Sequence, residues 1–127
     1  MNIFGIGTDI VSIDRIKSSL KNKNFVNRVF NEKEISKCKK IKNSTNCYAK
    51  RFAAKEAFSK ALGTGISNGI NFNEIVILNK RSGKPYINII GQTKKTLSKK
   101  FNRKKSTISL SLSDEKKYAV AFVTISL

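Results

Sequence analysis

The chain has 127 residues, enough for one domain with a sizeable core, and 39% of them are hydrophobic, which excludes a disordered polymer. Its 26 Lys and Arg against 8 Asp and Glu give a formal charge of +18, which favours polyanionic partners, and the lack of any His excludes imidazole acid–base chemistry. No apolar run approaches the roughly 18 residues needed to cross a bilayer, and the first residues carry no basic flank ahead of an apolar stretch, so a soluble cytoplasmic protein is expected.

Met1 to Thr8 reads as a buried strand ended by Gly5 and Gly7, and Ile13, Ile16 and Leu20 then recur at helical spacing. Phe25, Val26, Val29 and Phe30 continue that apolar face, while Arg15, Lys17, Lys21 and Arg28 make the opposite face cationic. Asn31 with Glu32 and Glu34 marks a new helix start, running to about Lys40. Ser44 or Thr45 is suited to cap the longest helix, through Tyr48, Phe52 and Phe58 to Leu62, with Gly63 and Gly65 as its stop. Cys38 and Cys47 lack a zinc-type partner pair and read as free thiols.

Beyond Gly69, Ile75 to Leu78 and Tyr86 to Ile90 form a hairpin around the turn Asn79 to Lys84. Thr93, Leu97 and Phe101 are spaced for a helix with a basic outer face. Ile108, Leu110 and Leu112 alternate with Ser and Thr, whereas Tyr118 to Ile125 is apolar on both faces and reads as a central or covered strand. With no repeat and no linker, these elements predict a single α+β domain over residues 1–127.

In a chain so poor in acids, two carboxylates set among small residues and cations suggest a divalent ion. Asp9 follows Gly5-Ile6-Gly7-Thr8, whose small side chains allow a ligand to approach the backbone, at what reads as a strand end. Glu56 lies on the long helix beside its buried stripe, with Ser59 and Lys60 one turn on. Magnesium takes oxygen ligands and keeps several waters, so one or two carboxylates plus substrate phosphates complete its shell. Lys60 would neutralise a diphosphate, and the guanidinium fork of Arg51 suits a terminal phosphomonoester. Taken singly, Asp9 also fits a helix cap and Glu56 a partner for Lys60.

The blocks Gly5-Ile-Gly-Thr-Asp9, Arg51-Phe-Ala-Ala-Lys-Glu56-Ala-Phe-Ser-Lys60-Ala-Leu-Gly-Thr-Gly-Ile66, Gly83-Lys84-Pro85 and Ser111-Leu-Ser113 with Tyr118-Ala119 resemble the holo-acyl-carrier-protein synthase family, small bacterial 4'-phosphopantetheinyl transferases of fatty-acid biosynthesis. They occur in the family's order across essentially the whole length. The resemblance implies an antiparallel-rich sheet packed with a long central helix, and a homotrimer with active sites between subunits. It also implies transfer of phosphopantetheine from coenzyme A to a serine of acyl carrier protein, with magnesium held by Asp9 and Glu56. By the same resemblance, Lys42, Arg51 and Lys60 are coenzyme A phosphate ligands, Gly83, Lys84 and Pro85 an adenine-side loop, and Arg15, Lys17, Lys21 and Arg28 the docking face for the acidic carrier protein.

Many family members carry His where this chain has Asp114. The serine proton must therefore pass to Glu56, directly or through a water, with Lys60 steadying the leaving group. Charge, size and pattern alone would also suit a small basic nucleic-acid-binding protein without enzymatic activity, although the aromatics fall on buried periodicities rather than among exposed Arg.

Overall fold

The computed structural model describes residues 2–63 and 69–127; Gly65, expected to help stop the long helix, lies outside the described residues. The chain runs β1 (Ile3–Ser12), α1 (Ile13–Ser19), α2 (Lys23–Val29), α3 (Glu32–Lys39), α4 (Ser44–Leu62), a 3-10 turn (Phe72–Glu74), β2 (Ile75–Asn79), β3 (Pro85–Ile89), α5 (Gly91–Lys100), β4 (Thr107–Asp114) and β5 (Tyr118–Ser126). β1, β5 and β4 form an antiparallel sheet in that order, and β2 and β3 form a separate hairpin. The α+β class, with α4 at its centre, agrees with the sequence. Among the described residues no helix is long and apolar enough to cross a membrane.

α4 is packed from several sides. Ala49, Ala53, Ala57 and Ala61 recur every fourth residue and are buried, giving one side of the helix a low relief that a sheet can approach closely. The matching surface is β1: a methyl group added to Gly5 would run into the Ala61 carbonyl, and one added to Gly7 into the Ala57 carbonyl. These glycines therefore do not end the strand, as their sequence context suggested. They let it pass under the helix and continue to Ser12, so Asp9 lies within β1 rather than at its end. From the neighbouring strand Ala119, Ala121, Val123 and Ile125 point to the same core. β5 is central, as expected, but only one of its faces is covered: Phe122 is 45% exposed, and beside it on the outer side of β1 Ile6 and Ile10 are 60% and 63% exposed.

Three further local readings change. The first helical segment breaks where Asn22 accepts from the amides of Asn24 and Phe25 and starts α2, a local capping bond that outcompetes the continuous apolar periodicity. α4 begins after Asn43, and neither Ser44 nor Thr45 serves as its cap. Cys38 and Cys47 are joined in a disulfide rather than free, because neighbouring helices α3 and α4 bring them together within the core.

Asn31 and Glu34 form a reciprocal capping box at the start of α3, as the sequence predicts. Glu34 is itself buried, and its Oε1 also accepts from Lys55 Nζ at 2.8 Å. Lys55 is wholly buried and also donates to the carbonyls of Phe72 and Ile75. Burial draws its pKa down from 10.5 to about 8, opposed by the Glu34 charge.

Gly7→Ala should reduce stability by about 1 to 3 kcal/mol through forced separation of β1 from α4. The check is urea unfolding, where a lower midpoint at unchanged slope is expected.

Candidate active site

The close approach of β1 to α4 sets Asp9 and Glu56 on the walls of one cavity of about 260 Å³, shared with Arg15, Ser19, Phe25 and Phe52. Asp9 follows Gly5 and Gly7 at strand spacing, on the face turned toward the helix. Glu56 is half-buried, and its pKa is raised first by that burial and then by the Asp9 charge, with Lys60 pulling the other way. Lys60 Nζ donates to Asp9 Oδ1 and to the Thr8 carbonyl, both at 3.0 Å. Its side chain remains 56% exposed and so within reach of a phosphate oxygen. Lys60 thus faces Asp9, whereas its helical spacing had paired it with Glu56.

Two carboxylates crowding one cavity, with the Asp9 charge raising the cost of ionising Glu56, form an oxygen donor pair suited to a hard divalent cation. Among the described residues no group of three or more His, Cys, Asp or Glu comes together. The donor set is therefore two carboxylates, which fits magnesium with water and phosphate oxygens filling the remaining positions.

Arg51 occupies a different flank of α4. Five residues from Glu56 along the helix, it points about 140° away at 3.6 residues per turn. With Gly83 and Pro85 it lines a second cavity of about 420 Å³, together with Lys37, Lys50, Asn79 and Asp114. Arg51, read in the sequence as a phosphate ligand, and the carboxylates of Asp9 and Glu56 therefore line different cavities of one chain. Arg51 is 4% exposed, donates to the Cys47 carbonyl and to Asn79 Oδ1, and keeps a buried Nε that has no hydrogen-bond partner among the described residues.

Lys37 reaches the same Asn79 Oδ1, and its pKa is lowered by burial and then by the Arg51 and Lys50 charges. Three cations thus crowd one cavity, a setting for a phosphorylated ligand. Asp114 accepts from Asn46 Nδ2 at 2.7 Å and faces Lys50 at 3.6 Å, so it orients polar groups on the rim where a His was expected from the resemblance.

Lys42 and Lys84 are exposed on the turns beside this cavity and do not line it. Lys37, Lys50, Asn46 and Asn79 do, and the sequence reading missed them. Only Cys47, four residues before Arg51 on α4, marked the helix face on which this cavity lies.

Arg15, Lys17, Lys21 and Arg28 are all exposed on the segment carrying α1 and α2. Arg15 borders the Asp9 and Glu56 cavity, and Arg28 borders a third cavity of about 560 Å³ that reaches Glu56 and Phe52 from the other side. The basic face therefore adjoins the carboxylates. Five of the aromatic rings, Phe25, Phe30, Tyr48, Phe52 and Phe72, pack on one another rather than standing free to stack on bases.

Comparison with known proteins identifies the family. The 4'-phosphopantetheinyl transferase superfamily profile matches residues 5–123. A holo-[acyl-carrier-protein] synthase of Pelagibacter ubique is 50% identical over 125 residues, covering 98% of both chains. Among solved structures, the holo-[acyl-carrier-protein] synthase of Neisseria meningitidis superposes with a TM-score of 0.88 at 39% identity, covering 98% of this chain and 99% of that one. The Helicobacter pylori enzyme, solved in complex with coenzyme A, superposes at 0.79 with 34% identity, covering 95% and 99%. The chain belongs to the 4'-phosphopantetheinyl transferase superfamily, among its holo-[acyl-carrier-protein] synthases.

Proposed function

We propose that this protein, acting as a single domain in the cytoplasm, transfers 4'-phosphopantetheine from coenzyme A to a serine of an apo acyl carrier protein. The observation that carries the reading is the convergence of Asp9 and Glu56 on one cavity, with Lys60 paired to Asp9 and the exposed Arg15 at its border. The serine oxygen attacks the β-phosphorus of coenzyme A and forms the new phosphodiester. The bridging bond to the adjacent phosphate breaks and releases adenosine 3',5'-bisphosphate. Glu56 takes the serine proton, directly or through a water. Lys60 offsets charge on the departing phosphate. Magnesium held by Asp9 and Glu56 would neutralise the diphosphate alongside Lys60.

Arg51, Lys37 and Lys50 are assigned to the phosphates of the adenosine part, with Gly83, Lys84 and Pro85 forming its loop and Lys42 at the margin. Two features support an assembly of three copies with composite active sites. The phosphate cavity and the carboxylate cavity lie on different flanks of α4, so a ligand spanning both chemistries needs a second chain to bring them together. The outer face of the sheet also leaves Ile6, Ile10, Val120 and Phe122 exposed, an apolar surface suited to burial between copies.

Incubating the protein with apo carrier protein, coenzyme A and magnesium should yield carrier protein heavier by one phosphopantetheine on intact mass measurement. A chelator should abolish the product and added magnesium restore it. Unmodified carrier protein after magnesium-replete incubation would refute the assignment. Glu56→Gln should lower transfer by at least about 100-fold with circular dichroism unchanged. Arg15→Glu should raise the Michaelis constant for carrier protein by about tenfold and that for coenzyme A by far less. The difference should shrink as salt screens the docking face.

A further inference from the structure

Lys55 is the largest fully buried side chain in the described residues, and no step of the transfer uses it. Its ammonium donates three hydrogen bonds, to Glu34 Oε1 and the Phe72 carbonyl at 2.8 Å each and to the Ile75 carbonyl. Glu34 in turn accepts from the backbone amides of Asn31 at 2.9 Å and Ile77 at 3.1 Å. One ion pair thus ties the middle of α4 to the start of α3, the 3-10 turn and β2. The Phe30 ring lies 5.8 Å from the ammonium.

Stability alone explains this poorly, since well-packed apolar residues of similar volume often replace a buried ion pair without loss. Directional bonds supply something that apolar packing does not. The side of α4 that meets β1 is built from Ala57 and Ala61 against Gly5 and Gly7, and such shallow relief resists neither rolling nor sliding strongly. Lys55 immediately precedes Glu56 and lies one turn beyond Arg51, which is itself tied to Asn79 at the end of β2. A roll of α4 would swing Glu56 away from Asp9.

We propose that Lys55, held by Glu34, is a positioning residue for the phosphopantetheinyl transfer, fixing the roll and height of α4 so that Glu56 and Lys60 meet Asp9. This rests on the assignment of Asp9 and Glu56 made above. Displacements of about 1 Å at a reacting centre can reduce turnover on the order of 100-fold, so a lock on one helix has kinetic leverage.

The test is the paired variant Glu34→Gln/Lys55→Met, which removes both charges and keeps the volume. The kcat and both Michaelis constants are measured at a temperature where circular dichroism reports a folded chain. The expected result is a kcat at least about tenfold lower, with Michaelis constants for coenzyme A and carrier protein changed less than about threefold. Adding Glu56→Gln to this background should cost much less than it does in the parent protein, because Lys55 acts through Glu56. An unchanged kcat, a loss confined to the Michaelis constants, or fully additive effects would overturn the proposal. Should the paired variant fail to fold, Glu34→Gln alone, which preserves shape and the two carbonyl bonds of Lys55, carries the same expectation at about threefold in kcat. Absence of transfer by the parent protein would instead refute the functional assignment itself.

Discussion

The meeting of Asp9 with the residues of α4 depends on how near one strand can come to one helix. Side chains larger than hydrogen at Gly5 or Gly7 would collide with carbonyl oxygens of α4, and the alanines opposite them leave equally little relief. The result is a strand and helix in near-backbone contact, with Asp9 as the first residue on that face of β1 that carries a functional group. Close packing places Asp9 against Lys60, and on the same helix Glu56 enters the same cavity. The site is therefore a by-product of packing: the residues with least chemistry decide where those with most chemistry stand.

Much of this was legible in the sequence because it is local. The capping box at Asn31, the left-handed Gly63 after α4, the hairpin and the final strands all follow from short-range spacing and turn chemistry. Asp9, Glu56 and Lys60 stood out because acids are scarce and because the segment around Glu56 combines small residues with cations. What was not legible involves partners distant in the chain. The glycines of β1 look like a strand end until the helix they accommodate is known. The sulfurs of Cys38 and Cys47 look independent until α3 and α4 lie side by side. Lys37 and Lys50 were hidden among 26 cations, and only the fold selects the few that face Arg51.

Lys55 shows the same limit most sharply. It shares α4 with Arg51 and Lys60, yet those three side chains enter three different environments: a cavity wall, the core, and a half-exposed pairing with Asp9. Charge pattern along a helix reports angle about the axis. It carries no information on whether β2 and α3 wait there with a carboxylate and two carbonyls.

The opposite flanks of α4 have one consequence for how the protein works in a cell. On the proposed assembly, the groups that grip the nucleotide and the groups that promote transfer come from different polypeptides at every centre. Catalytic capacity then depends on concentration as much as on sequence: dilution dismantles the centre without unfolding a single chain. A cell could silence the activity by keeping copies apart, with every catalytic side chain intact.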